Sequence, residues 1–354
     1  MGSYTIDWGE LRALAEKLAR PRLGPGGVLE SEWRILEQAL DRLVTREDWE
    51  GVVRLREMFA FLVLGDTTGG VPVVQRINTE AIKGAERLGK TDLVARFLHD
   101  EGHNLHRQGY HQRAIEAFVR SSQLYEKAGE GFRALESYYM TALCYRALGN
   151  RHLAWQVLNH VLQQLSNDDP WRANHLQVMA WIMQDEEHLN KAERLLREAL
   201  ALYEQYQGRD SMLVAQTLAD LGEVVSLQGR YTEALDLFER SLAIISKFAG
   251  QFDRQEARTK LKLAEMLTRH GDYTQALRLL DEADDKIRGY GHYYDLLWRI
   301  ELAKSLIYWR QRRWGSAIRK LRMALRYRRQ LGLSNVALAK QLVSRLHMGT
   351  GLPR

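Results

Sequence analysis

The 354-residue chain is 45% hydrophobic with only 5 prolines, enough apolar material for two or three globular domains or for one long repeat array. A single cysteine, Cys144, excludes an internal disulfide framework and makes a reducing, cytoplasmic compartment the expectation. No apolar run approaches the roughly 18 residues of a membrane helix, no secretion signal opens the chain, and the formal charge of +6 hides an asymmetry: residues 302–354 carry 13 Lys or Arg and no Asp or Glu, leaving a net −7 on residues 1–301.

Residues 5–19 carry Ile6, Leu11, Leu14 and Leu18 on one stripe, with Asp7 placed to cap a helix. Met1, Gly2 and Ser3 ahead of it have the look of a vector remnant, which would make the chain a piece of a longer protein. Pro21 to Gly27 holds two prolines and three glycines, a linker by composition. Helices are expected over 30–44 and 48–64, and Trp49 follows Glu47 at the interval at which Tyr231 follows Gly229, so this pair reads as a degenerate first repeat. A break at 65–70 precedes a helix over 73–88, which has no evident partner and reads as a spacer.

From Ala95 onward the chain repeats. Alignment on a small residue gives Ala114, Ala154, Ala192, Ala234, Ala276 and Ala317, at intervals of 40, 38, 42, 42 and 41 residues. Four positions later stand Phe118, Leu158, Leu196, Phe238, Leu280 and Leu321, and twelve positions before each alanine stand Gly102, Ala142, Ala180, Gly222, Ala264 and Ser305. A small side chain facing a large one lets two helices approach and interlock. The division that follows is an N-terminal helix and linker over 1–29, the degenerate repeat and spacer over 30–94, six repeats over 95–333, and a capping helix (about 334–347) with a tail over 334–354.

The fullest copy, residues 215–248, has Leu218, Leu221, Gly222 and Val225, a break at Gly229 and Tyr231, then Ala234, Phe238 and Ser241. In these residues and spacings the chain resembles the tetratricopeptide repeat family. The resemblance implies an all-α, right-handed superhelical solenoid of helix pairs, a non-enzymatic binding module with no cofactor or metal. It also implies a groove lined by the leading helix of each pair. The groove positions map to His99, His103 and His106, then Tyr139 and Arg146, then Gln177, Trp181 and Gln184, then Glu223, Glu265 and Trp309. Protein, peptide or a small inducer is the implied occupant.

Long repeats, with Glu86-Arg87-Leu88-Gly89 and Glu126-Lys127-Ala128-Gly129 at helix ends, further resemble the sensor domains of STAND-type signal transduction ATPases. That resemblance implies a nucleotide-binding module as partner, preceding the array in the same chain and held inactive by it. The alternatives are a constitutive protein-protein interaction scaffold and a nucleic-acid-binding regulator using the basic C-terminal repeat.

Three other signals invite chemistry. Residues 84–91, Gly-Ala-Glu-Arg-Leu-Gly-Lys-Thr, match the phosphate-loop pattern letter for letter, but the stretch before Gly84 has helical spacing where a phosphate loop needs a buried strand. Gly89 reads instead as a helix stop. His99, His103 and His106 fall near one helix face and are open to three readings: groove contact, metal ligation, or no role. The basic end, with Arg310, Arg312, Arg313, Arg319 and Arg322, is open to three as well: a solvated face, a docking surface for an acidic partner, or a nucleic-acid site. No nucleophile–base arrangement stands out, no membrane partner is expected, and Cys144 reads as core.

Overall fold

The computed structural model describes residues 6–19, 30–64, 72–248, 250–289 and 293–330, and every regular element among them is an α-helix. The expected linker over 21–27, Met1 to Ser3 and the expected helix over 334–347 lie outside the described residues. The chain divides into two compact units, Met1–Gln164 and Leu165–Arg354.

The first unit holds α1 (Trp8–Ala19), α2 (Glu30–Thr45), α3 (Trp49–Met58), α4 (Ala60–Leu64) and α5 (Pro72–Arg87). Two helix pairs follow, α6 (Thr91–Arg107) with α7 (His111–Lys127), and α8 (Gly131–Ala147) with α9 (Arg151–Gln164). Asp7 caps α1 by accepting from the Gly9 and Glu10 amides at 2.9 and 3.0 Å. The single helix expected over 48–64 is broken at Phe59, which turns its ring into the core beside Leu55 and Leu62.

The helix read as a spacer, α5, packs against α3 and α6. Gly84 lies so near α3 that a Cβ there would sit 3.3 Å from the Trp49 carbonyl. Arg56 of α3 ties the three together: its guanidinium is buried, donates to Asn78 of α5 at 3.2 Å, pairs with Asp100 of α6 and covers the Phe97 ring at 4.2 Å.

Among the described residues the second unit has four helix pairs: α10 (Arg172–Asp185) with α11 (Leu189–Gln207), α12 (Met212–Leu227) with α13 (Tyr231–Ser246), α14 (Asp253–His270) with α15 (Tyr273–Arg288), and α16 (Tyr294–Arg310) with α17 (Trp314–Gln330). In both units the helix pairs have the expected α-solenoid architecture.

The small-against-large rule holds each pair together. The six aligned alanines are buried, as are Phe118, Leu158, Leu196, Phe238 and Leu280; only Leu321 of the last pair is half-exposed. Each fully buried Leu or Phe contributes roughly 1.5–3 kcal/mol. A polar bond recurs at the same register: Ser121 donates to the Ala95 carbonyl at 2.8 Å and Ser241 to the Ala215 carbonyl at 2.7 Å. Turns recur too. In the second unit Gly229 takes a left-handed φ of 85° and lets the Arg230 amide reach back to Val225, and the same bond joins His188 to Met183 and Arg313 to Tyr308.

Neighbouring leading helices touch, α12 with α14 and α14 with α16, whereas the trailing helices α13, α15 and α17 make no comparably close contact with one another.

Candidate functional site

Three leading helices of the second unit are joined by one carboxylate. Asp220 of α12 is buried mid-helix and accepts from Gln177 Nε2 of α10 at 2.8 Å, from Trp181 Nε1 of α10 at 2.9 Å, and from Lys262 Nζ of α14 at 2.5 Å. Lys262 reaches Glu223 as well, at 2.6 Å. Burial alone would push the Asp220 carboxyl up, but the Lys262 and Arg258 cations and the bonds from Lys262 and Trp181 hold it below the ordinary carboxylate range. Burial would likewise lower Lys262, and Asp220 with Glu223 keeps it above its ordinary value. The network is therefore ionised, internally paired and fixed before anything binds.

The structure brings Gln177, Trp181 and Glu223 together around this pair. Gln177 is buried, while Trp181 is half-buried with its indole N–H committed to Asp220. Gln184 and Glu265 are half-exposed on the same helices. Further along, Arg269 donates to Ser226 at 2.7 Å and Arg310 to the Thr268 carbonyl at 3.0 Å. Trp309, 45% exposed, stands edge-on to Trp314 with ring centroids 4.7 Å apart.

Asp220 and Lys262 are the residues the sequence reading missed. The sequence holds only a faint signal for them: an acid and a base 42 residues apart, which is one repeat.

In the first unit the predicted residues pack into the joint between α6 and α8. His99 Nδ1 lies 2.9 Å from Ser137 Oγ, His103 Nε2 lies 3.0 Å from His99 Nε2, and both rings stand edge-on to Phe118. His106 Nδ1 meets Cys144 Sγ at 3.2 Å. Burial pushes all three imidazoles down to about 4, so they are neutral at pH 7. Tyr139 and Arg146 are half-exposed on α8, and burial pushes the Tyr139 phenol up to about 12.

The phosphate-loop lookalike is helical: Gly84 lies inside α5, Gly89 takes the left-handed stop with φ 66°, and Lys90 begins the turn into α6. No strand enters it. At the basic end Arg310, Arg312, Arg313, Arg319 and Arg322 are all exposed. Part of the surplus charge nearby is paired: Lys304 with Asp281 and Asp284, and Lys320 with the buried Glu301. No helix among the described residues is long and apolar enough to cross a membrane.

Residues 173–247 match the family model of the tetratricopeptide repeat, and no curated protein matches the chain. Among solved structures, aspartyl phosphate phosphatase F from Bacillus subtilis is similar with a TM-score of 0.63 at 13% identity, over 89% of this chain and 79% of that one. A Rap protein complexed with competence and sporulation factor gives 0.57 at 15% identity, over 92% and 99%. NprR in complex with its cognate peptide NprX gives 0.56 at 15% identity, over 98% and 93%. Together the match and these structures support tetratricopeptide-type helix pairs; at such identities the structures speak for the fold alone.

Proposed function

We propose that the chain is a non-enzymatic binding scaffold whose leading helices α10, α12 and α14 take up a peptide or protein segment. The observation that carries this reading is the network of Gln177, Trp181, Asp220, Glu223 and Lys262, which ties α10, α12 and α14 together. Its groups are already paired, so binding orders the partner and not the site. Trp181 presents a large ring held in one orientation, the type of anchor that dominates interface energies. That the similar Rap and NprR structures hold competence and sporulation factor and the peptide NprX supports a peptide as occupant.

A random-peptide library panned on the chain tests the reading, with Trp181→Ala and Glu223→Arg variants as comparators. Selected peptides should bind either variant at least about tenfold more weakly, a loss of about 1.4 kcal/mol. Peptides that bind all three proteins equally would place the site elsewhere.

The finer reading is a sensor of the STAND type, supported by the length of the repeats and the helix-end motifs. Inducer binding would then shift an inactive state to an active one, and a swing from 1:99 to 99:1 needs about 5.5 kcal/mol of differential affinity. The exposed Arg312, Arg313 and Arg319 are the docking surface in that reading. Reversing all three charges should change basal activity in a protein carrying the nucleotide-binding module; unaltered basal activity would leave a constitutive scaffold, for which scattering shows no compaction on peptide binding.

A further inference from the structure

We propose that His106, His111 and Cys144 form a binding site for a thiophilic d10 metal ion, Cu(I) or Zn(II). The three come from three helices of the first unit: His106 from the last turn of α6, His111 from the first residue of α7, and Cys144 from the last turn of α8. One nitrogen of each imidazole and the Cys144 sulfur all lie within 4.8 Å of one another. His106 Nδ1 is already 3.2 Å from the sulfur, and the His106 and His111 rings lie with centroids 5.0 Å apart.

An ordinary thiol–imidazole hydrogen bond accounts for His106 and Cys144. It does not account for His111, whose Nδ1 is shut off from solvent with no hydrogen-bond partner. A buried polar atom left unsatisfied is costly, and an ion bound by that nitrogen would remove the cost. Metal–nitrogen and metal–sulfur bonds of about 2.0 and 2.3 Å hold ligand atoms roughly 3.3–3.6 Å apart, so the sites need close up by only about 1 Å.

The donor set selects the ion. One sulfur and two imidazole nitrogens, with no carboxylate in the cluster, are poor ligands for magnesium or calcium and good ones for Cu(I) and Zn(II). Burial keeps both imidazoles neutral at pH 7, so their lone pairs are free without loss of a proton. The thiol differs: burial pushes it up to about 12, so it is protonated until the ion arrives. On binding, the S–H bond breaks, the sulfur–metal bond forms and the proton leaves to solvent, one proton for each ion. Half-exposed His111 gives the ion its route in, and the remaining coordination position is left for water or a donor from a partner.

The test uses the full chain freed of metal by a chelator. Titration with Co(II), a spectroscopic substitute for Zn(II), should raise a near-ultraviolet thiolate charge-transfer band at one ion per chain, and Zn(II) should displace it. Cu(I) is titrated anaerobically against a chromophoric chelator, which separates the two ions. At least one of them should bind with a Kd below about 10 µM and weaken tenfold or more in His111→Ala and in Cys144→Ser. Calorimetry in buffers of different ionisation enthalpy should report release of one proton. The exposed His188→Gln, in the second unit, should bind as the parent does. Weaker binding than that limit by both ions, or binding undiminished in His111→Ala, overturns the site. His111 is half-exposed at a helix start, so its variant remains informative if Cys144→Ser fails to fold.

Discussion

Asp220 and Lys262 lie one repeat apart on neighbouring leading helices with Oδ1 and Nζ at 2.5 Å, their side chains only 1% and 9% exposed. Two charges taken this far out of water hold together through their mutual attraction and the further bonds from Gln177 and Trp181 to Asp220 and from Lys262 to Glu223. Removing one partner strands the other. Lys262→Ala should cost about 3–5 kcal/mol, while the double change Asp220→Leu with Lys262→Met should cost clearly less, about 1–3 kcal/mol for the donors of Gln177 and Trp181 left unpaired. Urea unfolding of Lys262→Ala, and of Asp220→Leu, Lys262→Met and their double as the cycle, measures both losses. A Lys262→Ala loss below about 1 kcal/mol would mean that the pair does not hold these helices.

The glycines at the same register in two repeats should answer differently to alanine. At Gly102 the added Cβ would fall 2.7 Å from the Phe118 ring, and at Gly222 it would fall 3.2 Å from the Phe238 ring. The first is overlap, which costs typically about 1–3 kcal/mol; the second needs only a small shift, which the roughly 1 kcal/mol gain in helix propensity offsets. Gly102→Ala should therefore lower stability by up to about 2 kcal/mol once the same propensity gain is counted, and Gly222→Ala should be close to neutral. Equal effects in denaturant titrations would refute the distinction.

That contrast shows what could be read in advance. Ala234, Phe238 and Gly222 were legible because each repeat states its own packing within a few residues. Asp220 and Lys262 were not, because each one's partner lies a whole repeat away and both stand one residue off the stripe that carries Gln177, Trp181 and Glu223. The role of α5 was hidden for a related reason: residues 59–71, α4 among them, separate it from α3, and its close approach to Trp49 at Gly84 sits inside a phosphate-loop lookalike. His111 and Cys144 are 33 residues apart on different helices, so Cys144 on its own looked like any buried thiol.

The turns inside the helix pairs offer a gain in stability. Glu187 and Arg312 occupy the left-handed position, with φ of 62° and 60°, that Gly229 fills in the equivalent turn. The left-handed conformation costs a residue with a Cβ about 1–2 kcal/mol, and glycine gives back about 0.5–1 kcal/mol through its more flexible unfolded state. Glu187→Gly and Arg312→Gly should each stabilise the second unit by roughly 0.5 kcal/mol. Chemical denaturation of the single and double variants should show additive gains, since the two turns lie in separate repeats. A loss in both would mean that the side chains contribute more than the backbone strain removes.

Acid should loosen the joint between α6 and α8. The folded state holds His99 and His103 at about 4, through burial first, then through Arg133 for His99 and through His99 and Arg107 for His103, against Asp100, which raises His103. An unfolded histidine titrates near 6.5, so between about 6.5 and 4 the unfolded chain binds protons that the folded chain refuses. Stability is thus intact above pH 6.5 and falls as the pH drops toward 4. With chelator present to remove any ion at His106, urea midpoints measured from pH 7.5 to 5.0 should decline in the parent. In the His99→Gln, His103→Gln double variant the decline should be shallower. The same slope in both proteins would show that these two imidazoles take up protons without opening the joint.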